Sequence, residues 1–189
     1  MKRHSGFTAV ELILGLGIFA LVSVALSALA STYVAYGRLL PEGRLSSEVA
    51  RTHHGSLEEL KRSIRQAESI LTDYAVGSDT YVTATTSIAL RLYARDAAGN
   101  VNTNAFDYAV YYLATSTSPQ ELRKRLVADV SSSRKAAHFA LNPLVSGLSF
   151  SYNNATTSQA TKVTIDLTSQ KTSGTLIKTL HNVIDVTLR

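Results

Sequence analysis

Glu11 stands at the edge of an uncharged apolar run from Leu12 to Ala30. An acidic side chain inside a membrane-spanning helix costs up to roughly 3 kcal/mol on insertion scales. A carboxylate in this position therefore calls for something that offsets its cost. Few other residues offer chemistry. His53 and His54 are adjacent, so on a helix they point about 100° apart and share no face for one metal ion, while His138 and His181 are isolated. Asp96, Asn100 and Asn102 gather oxygen ligands of the kind calcium takes, and a hairpin turn accounts for the same residues. Asn154-Ala155-Thr156 matches a glycosylation acceptor, which means something only in a suitable host. There is no Gly-x-Ser-x-Gly elbow, phosphate-binding glycine loop or H-E-x-x-H. The serines read as loop and solvent-facing strand positions, and the tyrosines from Tyr108 to Tyr112 as sheet packing. No catalytic residue, cofactor or metal is expected.

The elements that must position Glu11 begin with the apolar run itself. Nineteen residues at roughly 1.5 Å each make a helix of about 28 Å, close to the thickness of a bilayer's hydrocarbon core. Lys2 and Arg3 precede it and Arg38 follows it, a distribution that keeps the N-terminus in the cytoplasm and sends the rest outward. The 189 residues, 45% of them hydrophobic, suffice for one domain with a core and an accessory segment. The formal charge of +5 is scattered, with small clusters at Lys61-Arg62 and Arg123-Lys124-Arg125, and builds no nucleic-acid footprint. The chain has no cysteine, so neither disulfides nor thiolate metal sites are available.

A secretory signal peptide would use Ala28-Leu29-Ala30 as its cleavage site, but its apolar core is normally shorter than this run. A plain signal anchor needs only length and flanking charge. Neither gives Glu11 a purpose. The order of a short basic leader, Gly6, then Phe7-Thr8-Ala9-Val10-Glu11 and an unbroken apolar helix resembles the N-terminal processing motif of type IV pilins and of the pseudopilins of type II secretion. The resemblance implies cleavage between Gly6 and Phe7 by a prepilin peptidase and methylation of the new Phe7 amine. It implies that Glu11 promotes that methylation and neutralises the amine of an adjacent subunit during assembly. Implied partners are the prepilin peptidase, other pilin or pseudopilin subunits, an assembly platform protein, an assembly ATPase, and membrane lipid before assembly. Implied location is a single pass of the inner membrane, then a periplasmic or extracellular filament.

Beyond the span, residues 31–72 read as a soluble extension of the helix. Leu57, Leu60, Ile64, Ala67 and Leu71 recur at spacings of three and four among Glu58, Glu59, Lys61, Arg62 and Arg65, an amphipathic stripe. Ser56 with Glu59 would form a capping box, and Pro41-Glu42-Gly43 predicts a kink or short break around Leu40 to Gly43. From 73 to 189 the period changes to two. Ile88, Leu90, Leu92 and Ala94 alternate with polar or small residues, Asp96 to Asn100 supplies a turn, and "FDYAVYYLA" from Phe106 returns. "ELRKRLVAD" from Glu121 suits a strand or a short helix, and the Ser118-Pro119 turn before it favours the strand; further strands run through Leu148 to Tyr152, Val163 to Leu167 and Ile184 to Leu188.

The expectation is therefore an α+β chain with four parts: a leader at 1–6, a transmembrane and assembly helix at 7–30, its soluble extension at 31–72, and an antiparallel β-rich domain at 73–189 packed on that extension. The element order is also similar to that of the larger minor pseudopilins, above all the J-type tip subunit. Lack of cysteine denies the chain the disulfide-closed loop of many major pilins. The competing expectation is an exported or membrane-anchored β-rich domain that binds a ligand such as a surface glycan. A DNA-binding minor pilin, relying on Arg123, Lys124 and Arg125, is a third.

Overall fold

The computed structural model describes residues 9–116 and 120–188. Helix α1 runs from Ala9 to Gln66, and the chain divides into two compact units at Arg44–Leu45. The first unit holds the apolar half of the helix, whose large side chains from Val10 to Val34 are all exposed. The helix continues through Leu40–Gly43 without the expected break. Pro41 has no N–H to give the carbonyl of Gly37, yet flanking turns carry the helix past it, and the division into units falls just beyond. The Ser56–Glu59 capping box is likewise absent as a helix start, because Ser56 lies inside α1 and donates its hydroxyl to the His53 carbonyl at 2.8 Å.

In the second unit the stripe on α1 is wider than its apolar residues suggest. Leu45, Val49, His53, Ser56, Leu57, Leu60, Ser63 and Ile64 are all buried, at the spacing of three and four that one helix face requires. This face packs on a seven-stranded, wholly antiparallel sheet of order β1-β4-β5-β6-β7-β8-β9. The strands are β1 (Ala67–Leu71), β4 (Ser87–Arg95), β5 (Val101–Ala114), β6 (Gln120–Val127), β7 (Ala137–Tyr152), β8 (Lys162–Ser173) and β9 (Leu176–Thr187). A separate hairpin pairs β2 (Asp73–Val76) with β3 (Asp79–Val82). The expected α+β class is present, with strands at 88–94, 106–114, 148–152 and 163–167; the strand read over 121–129 ends at Val127 and the one read over 184–188 ends at Thr187.

Two elements differ from expectation. The helix, read to Leu71, ends at Gln66, and Ala67–Leu71 becomes β1, paired with β4 through Ala67↔Leu92 and Ile70↔Leu90. Ala67 and Ile70 fit the helical stripe and the strand's buried face alike, so local spacing does not choose between them. The open edge of β4 and the 2.7 Å bridge from Arg91 to Glu68 favour the strand. Hairpin β2–β3 was not legible, because Asp73 and Asp79 are poor strand residues. It is held from outside: Tyr74 stacks on Tyr108 at 4.4 Å, Tyr81 tilts against Tyr112 at 5.0 Å, and Asp79 pairs with Arg125 at 2.8 Å.

The sheet's inner face supplies the core. Ile88, Leu90, Tyr111, Leu122, Ile165 and Leu167 are completely or almost completely buried against Leu60 and Ile64 of α1. Register shifts at Tyr93/Ala94, in the Gln120–Arg123 stretch and at Val145/Gly147 interrupt the ladders; such bulges add local twist and bend, and the sheet curls around the helix. The β8–β9 turn is a two-residue loop with Gly174 at φ 59, a conformation that L side chains avoid and that matches the twist of a tight hairpin.

Candidate assembly surface and polar interface

Ala9–Val34 is a 26-residue apolar stretch, long enough to cross a membrane. Along it Val10, Ile13, Leu14, Gly17, Ile18 and Leu21 line one shallow groove. Their spacing of three and four makes a continuous strip on one side of the helix. Gly17 leaves a notch in it, since beyond the adjoining helix backbone and its chain neighbours nothing lies within 4 Å of where its β-carbon would be. Small residues in apolar helices let a neighbouring helix approach closely. Glu11 lies in the first turn of α1 as described. The cleavage position between Gly6 and Phe7 and the leader before it lie outside the described residues, as does Ser118-Pro119.

The second unit joins helix to sheet through polar groups that sequence reasoning treated as incidental. His53 is fully buried. Its Nδ1 is 2.8 Å from Ser169 Oγ on β8, and its Nε2 is 2.8 Å from Asn182 Oδ1 on β9. Asn142 Nδ2 of β7 donates to Ser169 Oγ at 2.8 Å and to Ser56 Oγ at 3.3 Å, while its Oδ1 accepts the Leu144 N–H. One proton arrangement satisfies the whole set: His53 is neutral, donates from Nε2 to Asn182 and accepts at Nδ1 from Ser169. Burial lowers the affinity of His53 for a second proton; the Asn182 contact opposes that, and the nearby His54 and His181 reinforce it.

A second bridge lies further along α1. Tyr111 is buried with its hydroxyl 2.6 Å from Ser63 Oγ, and burial pushes its ionisation far up. Glu59 accepts hydrogen bonds from Lys124 of β6 and from Tyr111. Burial alone would raise the Glu59 carboxyl, but the Lys124 hydrogen bond and charge, aided by Arg62, hold it below the usual carboxylate range. A third anchor is Asp107, wholly buried on β5. It accepts from Arg134 Nη1 at 2.6 Å, Ser132 Oγ at 2.8 Å and the Asp129 N–H at 2.9 Å, fixing the β6–β7 connection.

The remaining sequence candidates are accounted for by local structure. Asp96 accepts both the backbone N–H and the side-chain amide of Asn100, at 2.8 and 3.0 Å, within the β4–β5 turn. His138 meets Tyr112 at 2.8 Å and His181 meets Asp166 at 2.9 Å. Arg123 and Arg125 pair with Glu121 and Asp79, so the basic cluster is divided among acidic neighbours. Among the described residues no three His, Asp or Glu side chains gather as a metal site.

Comparison with protein-family models, curated proteins and solved structures yields no match. What the structure establishes is an architecture like that of pilins: a long N-terminal apolar helix followed by an antiparallel β-sheet domain.

Proposed function

We propose that this chain is a structural subunit, of the minor kind, of a type IV pilus or a type II secretion-like pseudopilus. It is inserted with its N-terminus inside, cut between Gly6 and Phe7 by a prepilin peptidase, methylated on Phe7 and drawn into a filament through α1. The observation that carries the reading is the continuity of one helix from an exposed, membrane-length apolar half into a half whose buried stripe serves a sheet domain. A cleaved signal peptide has no need of such continuity, and removal at Ala30 would cut through it. The groove around Gly17 is suited to the helix of a neighbouring subunit, and in this reading Glu11 neutralises that neighbour's Phe7 amine. The platform protein, ATPase and companion subunits follow from the same reading.

Mass spectrometry of the N-terminal peptide from native membranes and sheared filaments tests it. An N-methylated Phe7 is expected. A mature chain starting at Ser31, or an uncut Met1, would replace the filament subunit with an exported or anchored β-domain.

A further inference from the structure

At the C-terminal end of α1 a cleft of about 390 Å³ is lined by Arg65, Gln66, Glu68, Tyr93, Arg95 and Arg134. Its charges do not cancel within the chain. Glu68 is bridged by Arg91 at 2.7 Å and accepts from the Ser69 hydroxyl at 2.6 Å. Arg134 gives its Nη1 to Asp107 and to the Tyr93 carbonyl. Arg95 donates to the Gly99 carbonyl at 3.1 Å, and among the described residues neither Arg95 nor Arg65 forms an ion pair. The cations that adjoin the cleft are already matched, Lys61 by Glu58 at 2.5 Å and Arg62 by Glu59 at 3.5 Å. The backbone around Arg95 and Arg134 is fixed, because the Ser133 N–H bonds the Arg95 carbonyl while Asp107 holds Ser132 and Arg134. On that same loop Val130 stands wholly exposed.

We propose that this cleft binds a carboxylate on an acidic segment of a partner protein, held between Arg65 and Arg95. A guanidinium offers a planar fork that matches a carboxylate through two parallel hydrogen bonds, and here two forks line one cleft with no carboxylate of their own chain to fill them. Gln66 accepts from Arg134 through Oε1 at 3.3 Å, which leaves its amide N–H groups for the same ligand. A nucleic acid fits less well. It needs a row of cations along its phosphates, and the neighbouring Lys61, Arg62, Lys124 and Arg125 are neutralised by acidic residues of this chain. Val130 points the same way, since an apolar side chain on a fixed turn gains nothing from a phosphate backbone and is stabilised when a protein surface covers it. Arginine beside tyrosine is also the composition in which protein interfaces concentrate their binding energy. The inference does not depend on the filament reading, because the cleft is built wholly within the second unit.

Fluorescence anisotropy on the full-length protein in detergent tests this, with a capped fluorescent peptide of alternating leucine and glutamate as the probe and its leucine–glutamine counterpart as the reference. At physiological ionic strength the acidic peptide is expected to bind at least tenfold more tightly than the neutral one. Arg65→Gln with Arg95→Gln should abolish that preference, and either change alone should reduce it several-fold. Arg65→Lys with Arg95→Lys should keep only part of it, because lysine lacks the fork. Arg44→Gln with Arg51→Gln, which removes two exposed charges elsewhere on α1, should leave it within about twofold. Val130→Ser should weaken binding several-fold. A thermal melt matching that of the native chain verifies folding of each variant. Equal binding of the two peptides, no binding of either, or an equal loss in the Arg44 and Arg51 double variant would overturn the proposal. A short single-stranded oligonucleotide that binds more tightly than the acidic peptide, and is released by the Arg65 and Arg95 double change, would overturn it too and assign the cleft to nucleic acid.

Discussion

His53 shows how one buried polar side chain can decide pH behaviour. Every partner of its ring is neutral, and a second proton on Nδ1 would point at the hydroxyl proton of Ser169. The folded chain therefore binds that proton more weakly than the unfolded chain, whose ordinary value is 6.5. Stability conferred by neutral His53 is complete above that value and is lost as pH falls through the lower folded value. Denaturant titrations at pH 7.5 and pH 5 should show the loss, and His53→Gln should flatten the dependence in that window. Identical stability of the native chain at both pH values would refute the assignment. Glu59 acts in a separate window: its carboxyl is held below the usual 4.5, so its contribution disappears only in stronger acid. Asp107 is the other decisive residue. Asp107→Ala leaves Arg134, which is 19% exposed, without its carboxylate, and breaking a buried pair in this way costs about 3 kcal/mol or more. Chemical denaturation should register it, whereas Asp96→Ala at an exposed turn should cost much less.

At the scale of elements, α1 has two surfaces with different solvents. The half in the second unit is held by Leu60 and Ile64, both at 0% exposure, and Leu60→Ala should destabilise the head domain by about 2–5 kcal/mol through lost burial and the cavity left behind. A thermal melt in detergent should record it with the apolar half still membrane-extracted. The other half has no burial of its own to lose, so changes there should leave head stability unaltered. Gly17→Leu fills the notch between Ile13, Leu14 and Leu21. It is expected to reduce filament incorporation several-fold while the melting temperature of the head domain stays unchanged; normal incorporation would show that the notch is unused. The β-strands divide in the same manner. Strands with alternating residues, such as β4 and β8, announce themselves through period two. β2 and β3 depend on Tyr108, Tyr112 and Arg125 from other strands, and no local pattern signals such support.

For the whole molecule, the proposed function turns on what would draw such a chain out of a membrane. A membrane-length apolar helix is stable in lipid, so leaving it requires neighbouring helices that present equally apolar surface and a partner for Glu11. Glu11→Ala should insert normally and fail to enter filaments, and Glu11→Asp should incorporate partially. Fractionation of membranes and sheared filaments distinguishes these outcomes, and full incorporation of Glu11→Ala would defeat the charge-pairing role.

The sequence by itself determined the elements whose signals are local. The apolar span is visible because nineteen uncharged residues in a row need no partner to be recognised, and most strands because alternation follows from the pleat. Glu11 was legible for the same reason, as a charge out of place in its immediate surroundings. Only the tertiary structure decided the end of α1, where Ala67–Leu71 suits helix or strand and the open edge of β4 chose. It alone brought His53 to Ser169 and Asn182, residues more than a hundred positions away, and Asp107 to Arg134. Polar residues at such spacings look like surface until the sheet places their partners opposite them, because a hydrogen bond between distant segments leaves no periodicity in either. The unequal edges of the sheet belong to the same class: Ala67–Leu71 read as the end of the helix and only Ile184 to Leu188 of β9 as strand, and the strand order alone reveals that both segments are edges.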